Sequence, residues 1–224
     1  TTGLGNLIFA GLIDGAFNLI LNSGGLTDLL GAIGSTLALA GFTTNGGGTT
    51  RLRQNITTSD GAIALNDRVL LTGDVNLTAG SGDITLGDQV DGSYALTLNS
   101  AGLTDVQEAI GSTTALTNLT TNAGGTTQLN GNVTASGDIT IADSLSLTAD
   151  LTIDAGTNIT LGDTVDGFFA LTLNSSGLTS IQGTIGSNTA LRTFTTDAPG
   201  LTEVAANITA TGNTIIINDP LTLL

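Results

Sequence analysis

The chain has 224 residues and a net charge of −15, from 19 acidic residues set against four arginines, with no lysine, histidine or cysteine. A surface this acidic is a poor partner for phosphate backbones and is repelled by anionic membranes, and the missing side chains remove most general bases, thiolate nucleophiles and soft-metal ligands. Apolar residues make up 40% of the chain and charged residues 10%, enough to bury a core and too apolar for a disordered chain.

In chain order, residues 1–13 read as the end of a repeat unit. The apolar stretch Leu7–Leu21 is broken by Asp14 and Asn18 and is shorter than the ~20 residues a spanning helix needs. The first basic residue is Arg51, so the start lacks the charged region of a secretory signal, and a mature fragment or an excised window of a longer protein is expected. Unit 1 (14–90) opens with Asp14-Gly15-Ala16-Phe17-Asn18-Leu19-Ile20-Leu21-Asn22-Ser23. The same pattern opens unit 2 (91–165) at Asp91-Gly92-Ser93-Tyr94 and a partial unit 3 (166–224) at Asp166-Gly167-Phe168-Phe169. Gly-Leu-Thr follows at 25–27, 102–104 and 177–179, Ile-Gly-Ser at 33–35, 110–112 and 185–187, and Thr-Thr-Asn or Thr-Thr-Asp at 43–45, 120–122 and 195–197. A fixed period of about 75 residues is the mark of a stacked, quasi-one-dimensional architecture.

From the end of unit 1 through unit 2, Ile84-Thr85-Leu86, Leu96-Thr97-Leu98, Ile139-Thr140-Ile141 and Leu151-Thr152-Ile153 alternate apolar with small polar residues. Strict period 2 over short segments predicts strands with one buried face, and Thr is read as the outward residue. Gly-Asp, Asn-Gly and Ser-Gly pairs between them predict tight corners. The one candidate helix, Leu103–Ile110, is read as strand or corner because its counterpart Leu178–Ile185 carries Gly183 in its middle. The predicted fold is all-β, a β-solenoid of three ~75-residue units forming one body over 1–224, with about 19 to 25 residues per turn and three or four turns per unit. Residues at matched positions, such as Phe17, Tyr94 and Phe169, are expected to stack along one axis, several turns apart. At ~4.8 Å per turn the rod would be roughly 50 Å long.

The runs Gly111-Ser112-Thr113-Thr114-Ala115-Leu116-Thr117-Asn118-Leu119 and Thr160-Leu161-Gly162-Asp163-Thr164-Val165-Asp166-Gly167 resemble the repeats of filamentous-haemagglutinin-type bacterial exoproteins. The resemblance covers the whole chain and implies a right-handed parallel β-helix in the shaft of a secreted or surface-exposed adhesin or filament. It brings no catalytic motif, secretion domain or receptor-binding head.

Candidate chemistry is sparse. Asp88 with Asp91, and Asp163 with Asp166, recur at the Gly-Asp-x-x-Asp-Gly corners. Their carboxylates are candidate Ca²⁺ ligands, and paired carboxylates also serve in polysaccharide-cleaving β-helices. Recurrence in each unit fits a structural turn better than a site needed once, so no enzyme is expected. Asn-x-Ser/Thr triplets at Asn55, Asn76, Asn118, Asn132, Asn158, Asn174 and Asn207 follow from Asn at corners and Thr on strands. Interrupting Asp and Arg corners argue against an ice-binding Thr array. The four arginines are read as solvated, and the seven aromatics as mostly core residues, which weighs against a glycan site. The expected role is a structural segment of an extracellular bacterial filament or adhesin shaft. The leading 13 residues and closing 59 are complementary parts of one unit, so its partner is expected to be a second copy stacked head to tail, or the rest of a longer repeat chain. The alternative is a lateral binding module for glycans or calcium-bridged partners.

Overall fold

The computed structural model describes residues 5–212 and 214–224, so the first four residues of the leading piece lie outside the described residues. Every regular element among the described residues is a short parallel strand, and the strands wind into a β-solenoid with three faces and about ten turns. Face I starts with Leu7–Phe9, Leu26–Leu29 and Thr49–Leu52 and ends with Thr193–Thr196 and Ile215–Ile217. Its two five-stranded sheets are joined through the bridges from Val90 to Ile110 and from Ile110 to Val133. Face II starts at the bridges linking Ile13, Ile33 and Ile56 and continues as a nine-stranded sheet ending in Leu221–Leu223. Face III runs from Asn18–Leu21 to Val165–Asp166 as an eight-stranded sheet, then through bridges to Ile185 and Ile208. The chain passes from face I to II to III in every turn.

Period-2 alternation explains the core. Val75-Asn76-Leu77-Thr78-Ala79 alternates buried and half-buried, and Leu77, Ile84, Leu98 and Ile153 are fully enclosed. In-register pairing stacks like on like, as in Ile139 on Ile159 and Leu151 on Leu171 on Phe194. Each turn alone cannot bury both of its neighbours' contacts, so stability comes from stacking and is spread along the rod.

Turn length is not constant, and this sets how the sequence repeats map onto the solenoid. Leu103–Ile110 is strand and bridge, as expected, with the strand over Leu103–Val106. One turn per unit is long: Thr27 pairs with Thr50, Thr104 with Thr127 and Ile181 with Val204, each 23 residues on. Shorter turns elsewhere bring, for example, Ile139 onto Ile159 and Val69 onto Val90. Counting faces from Asn18–Leu21 on face III, eleven steps reach Leu96–Ser100 on face II, and eleven more reach Ala170–Ser175 on face I. A unit therefore makes three and two-thirds turns. Matched residues do not stack above one another as expected: Phe17, Tyr94 and Phe169 stand at three different corners. Three units restore the phase after eleven whole turns.

Candidate functional site

The recurring Asp-Gly corner has a defined mechanical task. Gly15, Gly92 and Gly167 adopt φ of 144°, 133° and 135°, which frees the preceding aspartate to reach the turn above. Asp14 Oδ1 accepts from the N–H groups of Thr36 and Leu37 at 3.1 and 3.3 Å. Asp91 Oδ1 takes those of Thr113 and Thr114 at 2.9 and 3.0 Å, and Asp166 Oδ1 those of Asn188 and Thr189 at 2.9 Å each. Each aspartate thus clamps the exposed loop that makes its unit's long turn: 34–40, 111–117 and 186–192. The loops start at Gly34, Gly111 and Gly186, all near φ 70°; a Cβ at Gly111 would lie 2.1 Å from the Thr134 carbonyl oxygen.

Asp91 is the most deeply set of the three, 1% exposed, and its Oδ2 accepts from Arg68 at 2.9 Å. Burial opposes its ionised form, but the Thr114 N–H, the Arg68 guanidinium and the Thr113 N–H outweigh that and hold its pKa below the ordinary aspartate value. Asp88 accepts from the Gln89 N–H at 2.6 Å, and Asp163 from the Thr164 N–H and the Ser144 hydroxyl at 2.7 and 3.0 Å. The four candidate calcium ligands are thus already engaged as corner acceptors, and among the described residues no three acidic side chains gather into a group able to hold a metal ion. The arginines stand in solvent, as expected, and three of them also form ion pairs from there: Arg51 with Asp28, Arg68 with Asp91 and Arg192 with Asp150, their side chains 39–49% exposed.

A buried polar column was missed by reading Thr as outward. In unit 2, Ser100, Thr104, Thr121, Thr127 and Asp143 are all within 2% of full burial at one interior corner. Asp143 accepts from the Thr121 hydroxyl at 2.7 Å and the Thr127 hydroxyl at 3.0 Å. Burial pushes its carboxyl above the ordinary aspartate range, the two hydroxyls only partly offsetting this. The set recurs as Ser23, Thr27, Thr44, Thr50 and Asp67, and as Ser175, Thr179, Thr196, Thr202 and Asp219, each on a different corner of the rod. Doubled threonines are the signal that exposes it. A strand that reads Thr120-Thr121 or Thr126-Thr127 must turn one hydroxyl inward.

The aromatics divide differently from expectation. Phe42 and Phe194 are core residues, whereas Phe17, Tyr94 and Phe168 are exposed by 80%, 39% and 60%. A shallow open depression of about 240 Å³ lies on face III, lined by Asn18, Ile20, Gly41, Thr43 and Ala62. No helix among the described residues is long and apolar enough to cross a membrane. Comparison with family models, with characterised proteins and with solved structures finds no match to this chain.

Proposed function

We propose that this chain is a structural segment of an extracellular bacterial filament or adhesin shaft, and that its mechanism is mechanical. The single observation that supports the reading is the uninterrupted parallel pairing along all three faces, from Leu7–Phe9 to Leu221–Leu223, around one continuous core. Tension along the rod is shared by backbone hydrogen bonds running parallel to the axis and by side chains packed between turns. The Asp14, Asp91 and Asp166 clamps pin the loops that would otherwise be the weak points of each long turn. The repeat resemblance to filamentous-haemagglutinin-type exoproteins supports the same reading. The test is surface labelling of intact producing cells with antibody to the folded chain. Label on fibres or on the cell surface before permeabilisation is expected; label seen only after permeabilisation overturns the extracellular role.

A second reading, a lateral binding module, is favoured by one observation: Tyr94 and Phe168 stand exposed beside polar loops at two different corners. Stacking of a sugar ring on such a side chain would give a weak, repeated glycan contact. Loss of glycan binding in a Tyr94→Ala, Phe168→Ala variant that keeps its fold would support it, and no binding by the parent chain would reject it.

A further inference from the structure

The sequence places glycine directly after asparagine at Asn45-Gly46 and at Asn130-Gly131. Such a pair can close on itself, because the glycine nitrogen is within reach of the asparagine side-chain carbonyl and glycine has no Cβ to block the approach. The fold treats the two pairs differently. Gly46 and Gly47 are exposed, and a Cβ added at Gly46 would meet nothing nearer than the Asn66 carbonyl oxygen at 3.4 Å. The run Asn45-Gly46-Gly47-Gly48 has no side chain after the asparagine, so its backbone rearranges at little steric cost. Gly131, by contrast, is wedged against the preceding turn: a Cβ there would lie 2.5 Å from the Ala109 nitrogen and from the Glu108 carbonyl carbon. Asn130 is tied down as well. Its Nδ2 donates to the Gln107 carbonyl at 3.1 Å, and its Oδ1 accepts from the Thr148 hydroxyl at 3.3 Å.

The Asn45 side-chain carbonyl is also polarised. Its Oδ1 accepts the backbone N–H of buried Ser23 at 3.1 Å, a fixed donor at the atom where negative charge would develop if Cγ were attacked. The other units supply natural controls. Asn122 Oδ1 accepts the Ser100 N–H at 2.8 Å in the same way, but Ala123 follows it. In unit 3 the position is Asp197, whose Oδ1 accepts the Ser175 N–H at 3.0 Å. The corner therefore works with a carboxylate as well as with an amide, and its loop accommodates alanine after the asparagine. Of Asn45, Asn122 and Asn130, Asn45 alone joins an open glycine to a carbonyl held by a backbone N–H.

We propose that Asn45 is a site of self-modification, at which the Gly46 nitrogen displaces ammonia from the side chain and the resulting cyclic imide opens to aspartate or isoaspartate. Hydroxide takes the Gly46 amide proton as the nitrogen attacks Cγ and the new C–N bond forms. The Cγ–Nδ2 bond then breaks, and the amine leaves as ammonia with a proton from water. Water opens the imide: attack at Cγ gives aspartate, and attack at the backbone carbonyl carbon gives isoaspartate, with the chain running through Cγ. Each conversion adds a negative charge to a chain that already carries −15. The aspartate product keeps an acceptor for the Ser23 N–H, as Asp197 does for Ser175. The extra backbone methylene of the isoaspartate product falls in a loop of glycines, which absorbs it.

The purified chain is held at mildly alkaline pH and sampled over time. Peptide mass mapping follows the exchange of NH for O at each asparagine, and an isoaspartyl methyltransferase labels the isoaspartate. Conversion at Asn45 should speed up with pH and run at least about tenfold faster than at Asn130, ~1.4 kcal/mol on the barrier. In urea, where the fold no longer hems in Gly131, the two pairs should react at similar rates. Gly46→Ala copies the unit 2 loop and should slow Asn45 by about the same tenfold factor. Ala123→Gly turns the unit 2 loop into the unit 1 sequence Thr-Thr-Asn-Gly-Gly-Gly and should make Asn122 reactive. Asn45→Asp, which copies Asp197, should melt with the parent. An Asn45 that reacts no faster than Asn130 in the folded chain, a rate indifferent to Gly46→Ala, or an Asn122 left inert by Ala123→Gly overturns the site. An Asn130 that still lags in urea overturns the role given to packing around Gly131.

Discussion

The Asp-Gly clamp offers a comparison that the protein has already set up, because the same aspartate occurs in three settings. Asp91 accepts two loop N–H groups and an Arg68 guanidinium while almost wholly buried. Asp166 accepts the same two N–H groups and an Asn188 side-chain N–H in a more open corner without an arginine. Alanine at position 91 removes hydrogen bonds to a charged acceptor, worth about 1.5–3 kcal/mol each when shielded. The exposed loop donors recover water, and the Arg68 side chain is 44% exposed, so the ion-pair share is discounted to below about 1 kcal/mol. The expected cost is about 2–4 kcal/mol for Asp91→Ala and about 1–2 kcal/mol for Asp166→Ala. Because a solenoid need not unfold in one step, the decisive assay is hydrogen exchange at the Thr113, Thr114, Asn188 and Thr189 amides, alongside urea denaturation. Asp91→Ala should deprotect Thr113 and Thr114 and leave 188 and 189 unchanged. The sign with pH follows from the lowered pKa: the stabilisation is present above the ordinary aspartate value and is lost as pH falls through the lower folded-state value. Loop amides that stay protected in Asp91→Ala, or an Asp166→Ala cost as large as that of Asp91→Ala, would refute the clamp.

Asp143 should behave in the opposite sense. With its folded-state pKa raised by burial, the ionised form opposes folding at neutral pH, and stability rises as pH falls through that raised value and levels off below the ordinary one. The parent's melting temperature minus that of Asp143→Asn, measured from pH ~7 to ~4, should therefore climb as the solution is acidified. Leu171, fully buried between Leu151 and Phe194, should cost about 2–5 kcal/mol as alanine, and exchange should rise first in the two flanking turns of face I. Adding calcium or a chelator should leave the melting temperature unchanged, since Asp88, Asp91, Asp163 and Asp166 already take hydrogen-bond donors. A calcium-dependent rise of several degrees would assign those corners as a binding site.

How much of this was legible depends on which periodicity carried the information. Alternation in Ile84-Thr85-Leu86 or Leu151-Thr152-Ile153 states which side chains enter the core, and the structure buries those apolar residues. The 75-residue unit states that the body is a stacked rod. Neither states where each corner falls around the axis, because that depends on turn lengths that vary from 18 residues (Thr127 to Leu145) to 23 (Thr104 to Thr127). The matched aromatics were therefore read as one stacked column, although a unit of three and two-thirds turns carries each to a new corner. The interior threonines were hidden for a different reason. Thr is equally at home on either side of a pleat, and only the doubled Thr-Thr pairs betray that one hydroxyl must face in. Ion pairs such as Arg68 with Asp91 join residues 23 apart in sequence, a contact made only once the turn length is known.

The fractional winding is itself a reason for the repeat to persist. A unit with a whole number of turns would place every long loop, every polar column and every exposed aromatic along one edge, leaving that edge polar inside and irregular outside for the full length of the rod. Stepping one face per unit shares these features among three corners. The column around Asp143 lies between faces II and III, and those around Asp67 and Asp219 lie at the other two corners. No single corner then accumulates the buried carboxylates, whose mutual repulsion in a low-dielectric interior would grow with proximity. Such a rod can be lengthened in blocks of three units without changing the face on which the next turn begins.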